Sequence, residues 1–494
     1  MSDHQRLVRD TILYIPAQLF PPLVQFATMV AWTHLLDPTG FGITTFVMAS
    51  QEFTALVGIT WWTLFVLRFR IRFAAMGDGQ FRRMDNLVAV IAIAIQVALT
   101  LPMLWLAGAS FNWAIMASSA AFFATRTIIA HYSEWARAER RIGVFTAAQL
   151  IGSVGGSALS IAALVMLGPY PSAALGAQAI GFGLGLVTLR KSGIFRLGVG
   201  QFDQDIFDKT MRYGLPLIVG GIFNWLAGNC IRIIVQFSEG GVGLGLLSVG
   251  WGLGQRLSAV LAMLFTAATY PLAVTHMEGG NKKAALAQVS LNGVLLLALL
   301  APAMAGVEIL SSPLVRNLVA STFRESTIVI LPIAFLAGAI RWLRIHTSEQ
   351  TMILLEKTRA TMYVTIFETA VNVLFGIIGM HYGSIIGATL GVLAGTTTTC
   401  IASFAYSFLW LGLPVPSGGT LLRILFATGV MSVGIRLMPE PSNLLALLLT
   451  AAAGMAVYCA MIMIVFPECR TLVRLLVVRY IPARAGRRSP GHLP

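Results

Sequence analysis

Six arginines fall inside long apolar stretches of this chain: Arg126, Arg232, Arg256, Arg341, Arg344 and Arg436. A guanidinium in hydrocarbon costs between about 2.5 and more than 10 kcal/mol, so it persists where it faces protein, water or an anionic ligand. Depth separates the six. Arg436 and Arg232 lie within a turn or so of predicted outer helix ends and can snorkel to the interface. At 1.5 Å per residue, Arg256, Arg126, Arg341 and Arg344 sit roughly 18 to 25 Å below those ends. Arg341 and Arg344 are three residues apart and share a helix face, with Ser348 a turn further on. Two such forks suit phosphate oxygens, because each donates paired hydrogen bonds. Arg341, Arg256, Arg344 and Arg126 are therefore the candidate substrate-binding residues, Arg344 having the alternatives of anchoring its helix end or pairing with Glu368.

Glu52 and Glu368 lie at similar depth. Each either balances an arginine through a salt bridge or serves as a proton or sodium site for coupling. Glu308 and Glu349 are expected near span ends. His346, roughly 140° to 160° around the helix from Arg341 and Arg344, completes no ligand pattern. Asp37 and Glu239 are expected in external loops, and Trp61-Trp62 as packing or interfacial groups before sugar-stacking ones.

The elements that position these groups follow from composition. Of 494 residues, 57% are hydrophobic and 11% charged, and the mean hydropathy is +0.80. A soluble domain carries roughly 25% charged residues, so a soluble enzyme is excluded. A bilayer-spanning helix takes about 20 apolar residues. Apolar windows place spans at 12–35, 41–66, 87–107, 111–131, 143–167, 172–189, 213–237, 244–274, 286–310, 327–349, 360–379, 384–411, 421–438 and 443–466. The expected fold is an all-α polytopic membrane protein of about 14 transmembrane helices, with two six-helix lobes around a central cleft plus two C-terminal helices. The expected divisions are 1–205 for the N-lobe, 206–412 for the C-lobe, 413–467 for spans 13 and 14, and 468–494 for a basic cytoplasmic tail.

The net charge of +14 would suggest nucleic acid in a soluble protein, but here it follows topology. With the N-terminus inside, 26 of the 34 Lys and Arg fall in cytoplasmic loops or tails, and only Arg316 and Arg324 fall outside. Both termini are thus expected in the cytoplasm. The stretch from Thr11 to Leu36 is too long for a signal peptide and is read as the first span.

External loops are short, the longest being about 311–326, which leaves no room for an external domain acting on sugar. The Gly250/252/254 and Gly181/183/185 runs sit within spans and not at strand-to-helix turns, so close helix packing is their reading. The run from Gly152 is read likewise. Cys230, Cys400, Cys459 and Cys469 show neither metal nor disulfide spacing. No cofactor is expected.

A repeat near an offset of 200 relates Tyr14-Ile-Pro16 and Leu36-Asp-Pro-Thr-Gly40-Phe-Gly42 to Tyr213-Gly-Leu-Pro216 and Phe237-Ser-Glu-Gly240-Gly-Val-Gly243. Six spans separate the copies, so the repeats are parallel. Prolines 16, 21, 22, 102, 216, 271 and 332 inside spans suit bending helices.

Leu36-Asp-Pro-Thr-Gly-Phe-Gly, Arg212-Tyr-Gly-Leu-Pro and the Gly-rich turn into the eighth span resemble the polysaccharide-transport branch of the multidrug/oligosaccharidyl-lipid/polysaccharide exporter superfamily. Length and overall pattern are most similar to rhizobial succinoglycan-type exopolysaccharide transport proteins. The resemblance covers the whole chain and implies alternating access without ATP hydrolysis. It implies a non-enzymatic flippase in the bacterial inner membrane that moves polyprenyl-diphosphate-linked oligosaccharide from the cytoplasmic to the outer leaflet. Its expected partners are that lipid-linked substrate, the lipid bilayer, and a polysaccharide polymerase with export machinery. A cation-coupled multidrug exporter would favour an acidic cavity, and a membrane-embedded polymerase an external loop or a carboxylate pair.

Overall fold

Inside hydrocarbon every backbone N–H and C=O must be paired within the protein, which leaves helices as the economical way for such apolar stretches to fold. The computed structural model describes residues 20–110, 112–196 and 200–467, and the side chains at all of these but 70–78 and 264–269. The described residues are overwhelmingly helical.

Helix α1 occupies 20–35; one helical run from Pro38 to Leu106 carries two membrane-crossing stretches, Pro38–Phe69 (α2) and Gly79–Leu106 (α3); then come α4 Trp113–Ala138, α5 Ile142–Leu167 and α6 Pro171–Lys191. Gln204–Glu278 is one helical run broken at Gly240, where φ is 65° and ψ −161°; its limbs, 204–239 and 241–278, are α7 and α8. Then come α9, Lys282–Leu318, and α10, Ser321–Leu354. Thr358–Leu409 is broken at Gly383 and Ser384 into α11, 358–382, and α12, 385–409. Gly418–Arg436 and Leu444–Val465 are α13 and α14. Eleven of these stretches are long and apolar enough to cross a membrane, and two of the eleven are the broken pairs. The expected spans are therefore recovered nearly one for one, with α1 described only over 20–35. The Tyr14-Ile-Pro16 motif, Cys469 and the basic tail 468–494 lie outside the described residues.

Caps explain the boundaries. Asp37 precedes Pro38 and accepts the Gly40 N–H at 3.0 Å, so the Leu-Asp-Pro-Thr-Gly motif is a helix start with proline at the first position. Asn112, Asp203, Asn281 and Asn443 cap α4, α7, α9 and α14 in the same way. Gly240 turns α7 into α8 because its positive φ excludes most side chains.

Small residues let the helices close up. A Cβ on Gly181 of α6 would overlap the Gly156 backbone of α5, and one on Gly254 of α8 would lie 2.6 Å from the Leu331 carbonyl oxygen of α10. The glycine runs are packing surfaces, as their positions predicted. One core gathers Trp62, Phe81, Phe122, Trp135 and Leu189 from α2 to α6. Another gathers Ile231, Leu247, Trp251, Ile330 and Val392 from α7, α8, α10 and α12. Helices α13 and α14 pack on α9, where the Tyr458 hydroxyl donates to the Ala298 carbonyl at 2.6 Å.

The early and late helices meet at both ends of the molecule. At the end bearing the α1–α2 turn, a Cβ on Gly245 of α8 would overlap the Pro38 carbonyl oxygen, Thr45 bonds Ser248 at 3.2 Å, and Gln236 donates to the Leu106 carbonyl at 3.1 Å. At the basic end, Arg68 of α2 stacks over the Tyr213 ring of α7 at 5.4 Å. Between them, Phe53 packs on Trp225 at 4.7 Å. Side chains between these contacts surround a narrow cavity.

Candidate functional site: a cationic cleft

The cavity, about 70 Å³, is bordered by α1, α2, α5, α6, α7 and α8; Gln25, Glu52, Gln178, Arg232 and Arg256 supply polar groups to its wall. Arg256 projects from α8, and its Nη1 donates to the Gln25 carbonyl at 2.9 Å. Arg232 projects from α7 and donates to Asn229 Oδ1, while its buried Nε has no partner. Glu52 is exposed to the cleft and has no ion-pair partner within 4 Å among the described residues. Arg232, Arg256 and Glu52 line the cavity, and Arg126, outside that lining, is near enough to act electrostatically on Arg256, so three guanidinium groups and one carboxyl lie in or near the site, for a net charge of about +2.

Arg126 is held from behind. Its Nε donates to Gln51 Oε1 at 3.1 Å, the Gln51 amide donates to Thr127 at 3.0 Å, and Thr127 donates to Gln96 Oε1 at 2.8 Å. The same guanidinium lies 5.3 Å from the Phe182 ring centroid. A chain of neutral polar groups thus fixes the orientation of Arg126 without neutralising it.

Arg341 and Arg344 do not join this cluster through any direct bond. Arg344 is 1% exposed; it pairs with Glu368 at 2.7 Å and with Glu349. Arg341 lies 3.3 Å from Glu368 and is 17% exposed, with Nη2 bonded to the Asn224 side chain at 2.9 Å and carbonyl at 3.2 Å. Glu368 therefore bridges two arginines, the salt-bridge alternative weighed for it in the sequence. Residues five apart do not meet on an ordinary α-helix, but the π turn Ile345–Glu349 brings Glu349 round to Arg344. Ser348 is turned away and bonds Ser403 and Ser407 of α12, at 2.6 and 2.7 Å.

One expectation changes. Arg232 does not snorkel; it lines the cavity beside Arg256. Glu349, five residues from the end of α10, is near a span end as expected and also supplies half of Arg344's charge balance. Arg436 is exposed in the last turn of α13, as its depth implied. Asp37 is a helix cap, and Trp62 is buried packing. His346 stacks on Trp342 at 5.4 Å.

One buried group escaped notice because Asp85 falls just before the predicted third span. It is 2% exposed and accepts from the indoles of Trp62 and Trp135 at 2.7 and 3.1 Å. His131 Nε2 lies 2.9 Å from the same oxygen, and Thr63 bonds the other ring nitrogen at 2.7 Å. This node ties α2, α3 and α4 together near the basic end.

Comparison with known families gives a match to the family described as "Polysaccharide biosynthesis protein" over residues 7–277. Comparison with curated proteins gives no match. Among solved structures the fold is similar to the lipid II flippase MurJ in an inward closed conformation, with TM-score 0.74 and 14% identity, covering 93% of this chain and 99% of that one. It is similar to an inward-facing multidrug resistance MATE family transporter of the MOP superfamily, with TM-score 0.63 and 14% identity over 81% of this chain and 98% of that one. It also resembles a MOP superfamily transporter from Pyrococcus furiosus described as having a binding pocket of reverse polarity, with TM-score 0.54 and 15% identity over 82% and 95% of the two chains. The structural likenesses carry the fold and the family match spans more than half the sequence, so this chain belongs to the polysaccharide biosynthesis protein family, folded as MurJ and the MATE transporters are.

Proposed function

We propose that the protein is a flippase for polyprenyl-diphosphate-linked oligosaccharide repeat units, accepting them at the cytoplasmic leaflet and presenting them at the outer leaflet for exopolysaccharide or O-antigen synthesis. The observation that carries this reading is the charge of the cleft: Arg232 and Arg256 on its wall beside Glu52, with Arg126 near enough to act on Arg256, leave about two positive charges, the complement of a diphosphate diester. Family membership supports a role in polysaccharide assembly, and the name of MurJ states that it flips a lipid-linked substrate. An exporter of cationic drugs would gain nothing from three arginines.

In this reading Arg256 and Arg232 grip the diphosphate with paired hydrogen bonds, and Arg126, steadied by Gln51, adds field and a further donor. Arg341, held between Glu368 and Asn224 and part-exposed, offers a second contact outside the cavity wall, while Arg344 balances Glu349 and Glu368. The cavity as it stands is too small for a glycan, so the helix contacts at one end must open to load it and those at the other to release it. The prenyl tail stays in lipid. Carrying two negative charges outward across 100 mV, inside negative, releases about 4.6 kcal/mol, enough to drive the step without ATP. Glu52, unpaired and in the cleft, is the better placed of the two acids for cation coupling. The protein lies in the bacterial inner membrane with both termini cytoplasmic, and passes its product to a polymerase and export machinery.

The test is polymer export from cells whose own copy is deleted, with membrane abundance measured alongside. Arg256→Ala should lower export roughly 10- to 100-fold, the value of one charge-assisted grip. Arg256→Lys should recover part of it, since charge without the fork remains. Arg436→Ala should export normally. Full export by an Arg232→Ala/Arg256→Ala protein at normal abundance would refute the diphosphate role.

A further inference from the structure

A face of α7 turned away from the cleft carries a second cavity. Gly214, Gly221, Trp225 and Arg232 face α2 and the cleft, whereas Leu226, Ile233 and Phe237 lie roughly 100° to 140° around the helix. These three and Val373, Ile377 and Met380 of α11 line an apolar groove of 780 Å³. Below it the helices are bonded: Thr369 donates to the Phe223 carbonyl at 2.8 Å and Asn372 to the Ala227 carbonyl at 3.2 Å. Above those bonds α7 and α11 stay in contact, a Cβ on Gly376 lying 2.8 Å from the Ile234 side chain, and the groove runs along the outer side of that seam, where Phe237 and Ile377 are exposed. From Leu226 to Ser238 the groove rises about 18 Å at 1.5 Å per residue, close to the roughly 15 Å of one hydrocarbon leaflet.

The mouth lies at the end remote from the basic loops, where α7 turns at Gly240 and α11 at Gly383. Ser238 and His381 line it, and Glu239 stands beside it, exposed, accepting the Ser384 hydroxyl. No Lys or Arg occurs in 235–245 or 378–390. An anionic headgroup would meet a carboxylate there, whereas an ammonium-bearing one would be matched.

We propose that this groove is a binding site for one outer-leaflet aminophospholipid, its acyl chain between α7 and α11, its ammonium on Glu239 and its phosphate at Ser238 and His381. The site rests on the membrane-spanning reading and on the expected orientation, and is independent of what the cleft carries. Bound there, the lipid fills the gap behind the helix that bears Arg232.

The test is native mass spectrometry of the delipidated full-length protein after adding back phosphatidylethanolamine or phosphatidylglycerol. One phosphatidylethanolamine per chain should be retained, roughly tenfold more tightly than phosphatidylglycerol, the value of one charge-assisted contact. Glu239→Gln should erase the preference while keeping a lipid. Ile377→Trp, at a side chain 53% exposed, should fill the groove and expel it. Should that variant fail to fold, Phe237→Ala, at a residue 72% exposed, should loosen the lipid instead. Equal retention of the two lipids by the unaltered protein, an unchanged preference in Glu239→Gln, or undiminished retention in the folded groove variants overturns the proposal.

Discussion

Gln51 shows how a residue without charge governs one with it. Its carbonyl orients Arg126 while its amide is fixed by Thr127, so truncation frees the guanidinium without removing it. Gln51→Ala should reduce export roughly tenfold at normal abundance, the worth of one hydrogen bond to a charged group. Glu368 and Glu52 should behave oppositely on neutralisation. Glu368 is fully buried between two arginines, and Glu368→Gln leaves Arg341 without a carboxylate and Arg344 with Glu349 alone, at a cost of about 3–5 kcal/mol. Its yield and melting temperature should fall sharply, whereas Glu52→Gln, exposed in the cleft, should accumulate normally. Depth alone pointed to Arg256, which lines the cavity, and to the Arg344–Glu368 pair, since an arginine far from either interface needs a partner. Arg232 was not legible in this way, because counting residues to a helix end says nothing of which neighbour that face meets. The Arg344–Glu349 pair was hidden for a different reason: the five-residue spacing becomes a contact only through a π turn.

At the scale of elements, hydropathy located the helices because no other structure satisfies a backbone in lipid. What it missed is where helices exceed the apolar window. The chain is already helical well before 87, and Asp85 is buried there against the Trp62 and Trp135 indole N–H groups and the His131 ring inside the α2–α4 bundle. The glycine motifs were legible as close-packing sites, but which helices they join depends on the tertiary fold. Pro38 and Gly42 meet Gly241 and Gly245 and close one end of the cleft. Gly245→Val should prevent that closure. A disulfide between Thr45→Cys and Ser248→Cys, whose native hydroxyls are 3.2 Å apart, should form readily in the otherwise unaltered protein and poorly when Gly245→Val is added. Equal yields in both would show that the contact is not a gate.

For the whole molecule, the distribution of basic residues predicts orientation. Reporter fusions after residues 75, 137, 200 and 480 should read cytoplasmic, and those near 39, 169 and 318 external; an external reading at 137 or 200 would overturn the two-lobe arrangement. The preference of the cleft for a diphosphate is best tested by direct binding to the purified protein. Calorimetric titration with a short-chain prenyl diphosphate, the matching monophosphate and a lipophilic organic cation should rank them in that order. Diphosphate affinity should fall at least about 100-fold in Arg232→Ala/Arg256→Ala as two charge-assisted contacts are lost. Tight binding of the organic cation, abolished by Glu52→Gln while the diphosphate binds no better than the monophosphate, would contradict the flippase reading and make the cleft a cation exporter's.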